Sequence, residues 1–556
     1  MLVLEKLEVQ YPNRVLIRDS RLALMPGHRY CLIGPSGVGK SSLLLEIQRQ
    51  YKSNSLTVAL VKQSVMFDNP LSTVLQCALA STVAEDPECP ERDEQKRTDW
   101  AIECLREIGF SKSRIFTETC GRLSQGWKQR LALICAVLSE PDLLLVDEVS
   151  EGVDLLGTMK IERFLVDSMG DGILLAISHD TEFLSAMGTD VIYIDEDSQT
   201  LKQFAGGYLS YIKREEERLL AMESRVDSAQ RKKAHAQRFI AKHGTDPSKQ
   251  KQVKEKKDKL DRQGFFREDG RRYKTHSLQK LDEKYVRLPE QTPDELKLAK
   301  PLHFKQLSLD DGGSSSTMKM GDTMLVSLEN ANVGYATRPT LLCNVSVYVT
   351  ASSRIAVVGE NSSGKSTLMH CLLQDDPSIQ TSMPVQVGTG RIRMAFVPQC
   401  EGARLAEKYP NFSPAQLLIS EIKSFANERD ARQYLGGFGL SGPVAVTPIA
   451  HLSCGQQTRL AIAVGCVASP QLLVLDEPTH ALDVPARLAL AQWITAFPGA
   501  LVVSSHDRNF LRDEQVGFNE LWAVGRKGCV TCTKAPEEDE DGGFQQVFDD
   551  YLASIT

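Results

Sequence analysis

Short apolar runs, three to five residues long and each followed by polar or glycine-rich residues, occur in the same order in both halves of the chain. They are Tyr30–Ile33, Leu143–Val146 and Ile173–Ile177 in the first half and Ile355–Val358, Leu472–Leu475 and Leu501–Val503 in the second. Runs of this length between loops and helical segments are typical of buried parallel strands covered by helices. The pattern predicts an α/β fold that is present twice.

Two glycine-rich segments, Gly34–Ser41 and Gly359–Ser366, fit the P-loop pattern G-x-x-x-x-G-K-[ST]. Each follows a predicted strand and precedes a predicted helix, as the motif requires. Lys40 and Lys365 are 325 positions apart, and the later landmarks repeat with offsets of 327 to 329. We therefore predict two homologous nucleotide-binding domains in tandem, residues 1–211 and 324–556, joined by a charged linker over residues 212–323.

The P-loops are the predicted phosphate-binding segments. Glycine lets main-chain N–H groups curl around the phosphates, the helix N-terminus adds a favourable dipole, and the lysine adds a positive charge. The candidate residues are Gly34, Pro35, Ser36, Gly37, Val38, Gly39, Lys40, Ser41 and Ser42 in the first loop, and Gly359, Glu360, Asn361, Ser362, Ser363, Gly364, Lys365, Ser366 and Thr367 in the second.

Acid pairs follow one apolar run in each half. Asp147 and Asp476 are expected to hold Mg²⁺ together with the P-loop serines Ser41 and Ser366. The neighbouring Glu148 and Glu477 are candidates for polarising an attacking water. A histidine then follows the next run, as His179 in the first half and His506 in the second, where it can contact a γ-phosphate. The predicted catalytic residues are these two glutamates and two histidines.

The segments Leu123–Trp127 (L-S-Q-G-W) and Leu452–Gln456 (L-S-C-G-Q) resemble the L-S-G-G-Q signature of the ATP-binding cassette superfamily. The resemblance covers both halves and implies ATP as substrate, with each ATP held between the P-loop of one half and the signature of the other. For the signatures, the resemblance implies ATP contacts by Ser124, Gly126, Ser453, Gly455 and Gln456. It implies that the Q-loop residues Gln63 and Gln399 contact the nucleotide and Mg²⁺, and that Asp154 and Asp483 are the D-loop aspartates. It also implies that Tyr11 and Tyr335 stack on adenine.

Further details resemble the ABC-F class of soluble twin-cassette ATPases, whose known members mostly act on ribosomes. Gly126–Arg130 is similar to the G-G-W-[KR]-x-R of that class, and Ser505–Leu511 follows its second histidine pattern. Gln125 replaces a signature glycine. We therefore expect slower turnover at site two, which pairs the second P-loop with the first signature, than at site one, which pairs the first P-loop with the second signature.

Charge is unevenly distributed between the linker and the rest of the chain. Residues 212–288 carry 23 Lys and Arg against 13 Asp and Glu, whereas the whole chain has a net charge of −7. Residues 212–243 contain no Pro or Gly and predict a helix, 244–247 break it, and 248–263 predict a returning helix with a basic tip. This hairpin resembles the linker of eukaryotic ABC-F proteins, whose tip approaches ribosomal and transfer RNA.

Composition limits the remaining possibilities. No run approaches the roughly 18 apolar residues of a membrane span, and no secretory signal is visible at the start. The 13 cysteines are scattered, which favours reduced thiols. We expect a cytoplasmic protein, monomeric, with its two cassettes paired within one chain.

These features predict an ATPase that closes two cassettes on two Mg-ATP and reopens on hydrolysis, moving the basic hairpin into or out of an RNA site on the ribosome. A translation factor, a ribosome-assembly factor and a resistance protein all fit. The main alternative is the fused ATPase subunit of a membrane transporter that acts with a separate permease, although such a subunit predicts a short linker. A DNA-associated cassette ATPase is a third alternative, but the coiled-coil or zinc insertion typical of that class is not visible.

Overall fold

The computed structural model describes residues 2–11, 14–35, 37–51, 56–63, 65–67, 69–82, 90–150, 152–195, 198–215, 217–218, 220–221, 265–266, 286–287, 323–335, 340–388, 392–480, 482, 484–525, 528–536 and 543–555. For residues 6, 11, 14, 90–93, 265–266, 286–287 and 484–485 it describes the backbone alone.

A six-stranded sheet forms the centre of the first cassette. The strands are β1 (Leu2–Tyr11), β2 (Arg14–Leu24), β3 (Arg29–Ile33), β4 (Val58–Val61), β5 (Leu143–Asp147), β6 (Ile173–Ile177), β7 (Asp190–Asp195) and β8 (Thr200–Ala205). The central order is β4-β5-β6-β3-β7-β8, parallel except for β8, and β1 pairs with β2 in a separate antiparallel sheet. The interior strands β5 and β6 are buried along their whole length, as their unbroken apolar runs predict.

Helices cover this sheet and form a separate helical group. They are α1 (Lys40–Tyr51), α2 (Val74–Leu79), α3 (Pro90–Glu107), α4 (Lys112–Thr117), α5 (Gln125–Leu138), α6 (Leu155–Ser168) and α7 (Thr181–Met187), with a 3₁₀ turn at Cys120–Arg122. α1 packs on β4 and β5, while α2, α3, α4 and α5 pack on one another.

The second cassette repeats this topology. Its strands are β11 (Met324–Tyr335), β12 (Leu342–Thr350), β13 (Arg354–Gly359), β14 (Ile379–Thr381), β15 (Gln386–Val387), β16 (Met394–Val397), β17 (Leu472–Asp476), β18 (Ala500–Ser504), β19 (Glu520–Val524) and β20 (Val530–Lys534). The central order β16-β17-β18-β13-β19-β20 matches that of the first cassette strand for strand, again parallel except for the last. The predicted α/β fold with two tandem cassettes is confirmed.

The helices of the second cassette occupy corresponding places. They are α8 (Lys365–Leu373), α9 (Glu401–Lys408), α10 (Pro414–Gln416), α11 (Glu428–Gly436), α12 (Cys454–Cys466), α13 (Val484–Ala496), α14 (Arg508–Arg512) and α15 (Gly543–Ile555). A π-helical turn at Leu417–Glu421 continues α10, and 3₁₀ turns lie at Gly442–Val446 and Ile449–His451.

The two cassettes belong to one compact unit, Met1–Tyr208 with Leu302–Thr556. Leu155 of the first cassette is buried in the apolar core of the second, and Met159 packs against that core. α14 of the second cassette packs against α7 of the first. The cassettes therefore meet through a shared apolar contact and a helix pair.

The second unit is Leu209–Pro301. Its described residues are helical up to residue 221, and β9 (Phe265–Phe266) pairs antiparallel with β10 (Val286–Arg287). The predicted returning helix and its lysines lie outside the described residues. The domain limits at 211 and 323 stay predictions.

Candidate functional site

Each P-loop lies at the carboxyl end of a central strand, between β3 and α1 in the first cassette and between β13 and α8 in the second. In both loops the lysine Nζ donates to two carbonyls of its own loop. Lys40 Nζ lies 2.9 and 3.1 Å from the oxygens of Gly34 and Pro35, and Lys365 Nζ lies 2.9 and 3.0 Å from the oxygens of Gly359 and Glu360. Ser36 lies outside the described residues.

Glycine is required near the end of each loop. Gly39 and Gly364 have φ values of 102° and 107°, a conformation that strains residues with a Cβ. Gly364 also caps the N-terminus of α8. The first N–H groups of a helix have no partner within the helix, so the start of α8 is suited to binding an anion.

The predicted glutamate–histidine pairs are formed with nearly the same geometry in the two cassettes. Glu148 Oε2 accepts a 3.3 Å hydrogen bond from the His179 N–H, and Glu148 Oε1 lies 3.2 Å from His179 Nε2. Glu477 and His506 repeat this arrangement at 3.3 and 3.4 Å. β5 and β6, like β17 and β18, are neighbours, so their carboxyl ends bring the two side chains together.

Both glutamates have a left-handed backbone, with φ of 53° at Glu148 and 49° at Glu477. For a residue with a Cβ this conformation costs roughly 1–3 kcal/mol and persists only where the surroundings hold it. The sequence carries no signal for this conformation. Its presence at both equivalent positions indicates that the chain uses it to aim the two carboxylates.

Burial changes the ionisation of the second pair. It raises the pKa of Glu477 to about 7, partly opposed by the charge of Lys365. Burial together with the same lysine lowers the pKa of His506. Burial therefore favours the neutral form of both side chains. A carboxylate with a pKa near the operating pH suits a general base.

Serine and aspartate oxygens meet where the second Mg²⁺ is expected. Ser366 Oγ donates a 2.6 Å hydrogen bond to Asp476 Oδ2, and Ser504 Oγ donates a 2.6 Å bond to Asp476 Oδ1. Mg²⁺ prefers hard oxygen ligands, usually one or two carboxylates plus substrate phosphates. The donor set therefore fits this metal. Asp147 and Ser41 occupy the equivalent ends of β5 and α1.

A cavity of about 840 Å³ joins the second P-loop to the first signature. Its lining from the second cassette includes Tyr335, Asn361, Ser362, Gly364, Lys365, Ser366, Thr367, Gln399, Asp476, Glu477 and His506, and its lining from the first includes Gln63, Ser124, Gln125, Gly126, Glu148 and His179. The cavity therefore brings together predicted parts of site two from both cassettes, and it also contains Glu148 and His179, which are predicted for site one. Among the described residues, Ser453, Gly455 and Gln456 of the second signature do not line it.

Two hydrogen bonds connect the first D-loop to the second P-loop. Asp154 Oδ2 accepts from the Asn361 N–H at 3.0 Å, and Asn361 Nδ2 donates to the Gly152 oxygen at 2.7 Å. Asp154 Oδ1 accepts from Arg130 at 2.7 Å and caps α6 through the Gly157 N–H. Asp483, the predicted second D-loop aspartate, lies outside the described residues.

Trp127, the mark of the ABC-F resemblance, has a structural role. The Arg114 and Arg130 guanidinium groups lie 4.6 and 4.3 Å from its ring centroid, and Phe110 packs on it edge to face. Trp127 therefore supports the arginine that binds Asp154.

The two signatures begin α5 and α12, with Ser124 and Ser453 as N-caps. Gln456 forms a capping box with Ser453, with hydrogen bonds of 3.0 and 3.3 Å. Gln125 and Cys454 occupy equivalent positions as the first residues of these helices. Both signatures therefore carry a side chain where the L-S-G-G-Q pattern has its first glycine, and the slower turnover expected at site two stays a prediction.

Tyr335 lies on the cavity at the end of β11, and its hydroxyl is 3.1 Å from Thr367 Oγ1. Tyr11 ends β1, and its side chain is outside the described part of the chain. Adenine stacking by either ring stays a prediction.

Sequence reasoning missed two arginines of the second cassette, Arg487 and Arg508, which contact the first cassette beside His179. For Arg508 the sequence did contain a signal. When the two repeats are aligned at the 327-residue offset, Arg508 corresponds to Thr181, so an arginine follows the His-Asp pair in the second repeat alone.

The fold and this site define a P-loop ATPase with two ATP-binding cassettes. The family model described as ABC transporter matches residues 17–151 and 342–480, and a second model with the same description matches 194–276. Among the described residues, no helix has the length and apolar character needed to cross a membrane.

Two relatives resemble the chain over most of its length. ATP-binding cassette sub-family F member 3 of Mus musculus is 28% identical, over 98% of this chain and 73% of its own. Probable ATP-binding protein YheS of Escherichia coli strain K12 is 27% identical, over 92% of this chain and 77% of its own. The chain belongs to the ABC-F class of the ATP-binding cassette superfamily and is an ATP hydrolase. ATPases of this superfamily generally use Mg²⁺ with ATP.

Solved structures with this architecture include an archaeal ribosome recycling factor in complex with a ribosomal stalk protein. Its TM-score is 0.58 at 15% identity, over 99% of this chain and 92% of that one. A model of ribosome-bound archaeal Pelota with a protein of the same type has a TM-score of 0.56 at 15% identity, over 99% and 80%. At this identity the likeness concerns the fold.

Proposed function

We propose that this ATPase binds two Mg-ATP between its cassettes and uses their hydrolysis to control engagement of a basic linker with RNA of the ribosome. The cavity that joins the second P-loop to the first signature carries the proposal. A nucleotide in that cavity touches both cassettes at once, so binding favours their closure and hydrolysis removes the bridge.

The chain supplies a complete set of groups for hydrolysis at site two. The P-loop N–H groups and Lys365 bind the phosphates. Ser366, Asp476 and Gln399 would hold Mg²⁺, which when bound would supply positive charge that offsets the charge of the phosphates. Glu477 accepts the proton of the attacking water, and His506 contacts the γ-phosphate. Ser124 and Gly126 at the start of α5 close the site from the other cassette.

Site one uses the equivalent residues. Glu148 and His179 form the catalytic pair. Ser41, Asp147 and Gln63 would hold Mg²⁺, and Ser453, Gly455 and Gln456 close the site. The nearly equal geometry of the two glutamate–histidine pairs supports the same chemistry at both sites.

Charge supports the ribosomal part of the proposal. Residues 212–288 carry a net charge of +10, and the rest of the chain carries −17. Phosphate backbones attract the first and are repelled by the second, so RNA contact is confined to the linker. Two structural neighbours are themselves named for ribosomes. The proposed location is the cytoplasm, and the proposed active form is a monomer.

Cosedimentation tests this proposal. Protein with Glu148→Gln and Glu477→Gln, loaded with Mg-ATP, should pellet with ribosomes more than the same protein with Mg-ADP. A membrane flotation assay is run in parallel. Flotation with membranes and no nucleotide-dependent ribosome binding would favour a transporter subunit instead.

A further inference from the structure

The ion pairs that α14 makes with the first cassette share one polarity: the arginines belong to α14 and the carboxylates to the first cassette. Arg508 pairs with Glu162, and it lies 3.2 Å from Asp180 and 3.1 Å from Glu182. Arg512 also pairs with Glu182. The second cassette thus binds one acidic face of the first, formed by α6 and the start of α7.

This face is continuous with the catalytic pair of site one. Asp180 follows His179 and caps α7, with its Oδ1 accepting from the N–H groups of Glu182 and Phe183 at 2.9 and 3.2 Å. Its second oxygen, Oδ2, accepts from Arg508. Asp180 therefore ties the turn that carries His179 both to its own helix and to the other cassette.

The His179 main chain is held on both sides of its side chain. Its N–H donates to Glu148, and its carbonyl oxygen accepts from Arg487 of the second cassette. Arg487 also binds Asp507, the residue after His506. One arginine therefore contacts the turns that follow both catalytic histidines.

The arrangement is not repeated on the pseudo-symmetric side. At the repeat offsets, Arg508 corresponds to Thr181, Glu162 to Ala491 and Glu182 to Asn509. Asp507 is held by Arg487 from its own cassette. The turn after His506 is thus bound by an arginine of its own cassette, whereas the turn after His179 is bound by arginines of the other cassette.

Because the ion pair of Arg508 with Glu162 is buried, it fixes the relative position of the two cassettes more than it stabilises the fold. Arg508 is 5% exposed and Glu162 8%. Desolvation largely offsets the attraction in such a pair, but an arginine fork that binds a carboxylate restricts the relative placement of the two partners.

We propose that Arg508, assisted by Arg487, is a positioning residue for ATP hydrolysis at site one. It binds Asp180 from the second cassette and thereby sets the His179–Glu148 pair. Site one is then competent only when the second cassette is docked on the acidic face. The inference rests on the proposed roles of Glu148 and His179.

The test uses proteins in which a single site can turn over: Glu477→Gln leaves site one active, and Glu148→Gln leaves site two. Into each we introduce Arg508→Met together with Glu162→Gln, which keeps the buried charge balanced. At site one, kcat should fall by roughly tenfold or more, with the KM for ATP within about twofold, because misplacement affects chemistry more than binding. At site two, kcat should stay within about twofold. Arg508→Lys should restore part of the site-one rate.

Two matched controls distinguish the positioning of the His179–Glu148 pair from a general loss of contact between the cassettes. Arg512→Ala removes another arginine partner of Glu182 without touching Asp180, and Thr181→Ala changes the position equivalent to Arg508. Neither should lower kcat at site one. Thermal unfolding and circular dichroism of each variant check folding.

Equal losses at the two sites, or the same loss with Arg512→Ala, would overturn the inference and leave the cluster as an adhesive contact. ATPase activity in the Glu477→Gln protein that survives the addition of Glu148→Gln would instead show that the assignment of Glu148 is wrong, and the inference would fall with it.

Discussion

The main-chain N–H of Asn361 in the second P-loop donates a 3.0 Å hydrogen bond to the Asp154 carboxylate of the first cassette. Asp154 is also bound by Arg130, in the helix that begins at the first signature. One carboxylate therefore joins the signature helix, the start of α6 and a P-loop of the other cassette. A substitution at any of these three places should therefore alter nucleotide binding at site two.

Asp154→Asn should destabilise the protein and weaken nucleotide binding at the second P-loop. The asparagine retains an oxygen for one partner, but it removes the charge opposite the buried Arg130 guanidinium. We expect the free energy of unfolding to fall by about 2–4 kcal/mol, as when one partner of a buried pair is removed. Thermal unfolding and titration with a fluorescent ATP analogue measure the two effects. The control is Asp376→Asn, because the Asp376 carboxylate accepts hydrogen bonds from the nearby Ser378 and from no arginine in these bonds. This substitution should change neither the stability nor the nucleotide binding.

Replacing both Glu148 and Glu477 with Gln should lower steady-state ATPase activity at least about a hundredfold, the usual cost of losing a general base. Glutamine keeps the size of the side chain and one oxygen for the His179 and His506 N–H groups. ATP binding should therefore persist, which equilibrium dialysis can measure. A double variant that still turns over at the wild-type rate would show that neither carboxylate acts on the water.

The two signature departures should differ in their effect. Gln125 lines the site-two cavity, and its Nε2 donates to the Gln63 carbonyl at 3.2 Å. The Cys454 side chain is shorter. Measured in the single-site proteins, Gln125→Gly should raise kcat at site two severalfold because it frees space beside the γ-phosphate, while Cys454→Gly should change site one less. If neither substitution alters its site, the predicted inequality of the two sites has no origin in the signatures.

Glu477→Gln should change the pH dependence of stability in the absence of nucleotide. The pKa of Glu477 is raised to about 7 in the folded protein, so the folded state retains a proton that the unfolded chain releases near its ordinary value. The contribution of Glu477 to the free energy of unfolding is therefore fully present below the pKa that it has in the unfolded chain, and it is lost as the pH rises through about 7. Glutamine does not ionise, so the variant avoids a penalty on the order of 1–3 kcal/mol at pH 8.

The Tm of Glu477→Gln should therefore match that of the wild type near pH 4.5 and exceed it by roughly 2–6 °C at pH 8. Glu407→Gln, on the exposed side of α9, is the control and should show no such trend. A Tm difference that is the same at both pH values would argue against a raised pKa at Glu477.

Neutralising Lys249, Lys251, Lys254, Lys256 and Lys257 to Gln should weaken RNA binding and flatten its salt dependence. Each phosphate contact removed lowers the slope of log K against log salt by roughly 0.7 to 0.9. Glutamine has nearly the same helix propensity as lysine, so a lost affinity could not be ascribed to melting of the helix that the sequence predicts there. RNA-independent ATPase activity should not change, because no nucleotide motif lies in this segment. An unchanged slope would leave the linker as a spacer between the cassettes.

Motif spacing and apolar periodicity determined a large part of this protein. Local patterns specify a strand, a glycine-rich loop and a helix, because each depends on residues near one another in the chain. The two P-loops, the acids after β5 and β17 and the two histidines could therefore be named without coordinates. The offset of 325 to 329 residues predicted two homologous domains, and their central sheets have the same strand order.

Only the tertiary structure decided how the two repeats meet and where their symmetry ends. The left-handed backbone at Glu148 and Glu477 depends on strands far apart in the chain, and the raised pKa of Glu477 depends on burial. The contacts of Asn361 with Asp154 and of Arg508 with Asp180 join residues 207 and 328 positions apart. A charge in the sequence carries no information on which distant surface will desolvate it, so these contacts exist only once the cassettes have packed.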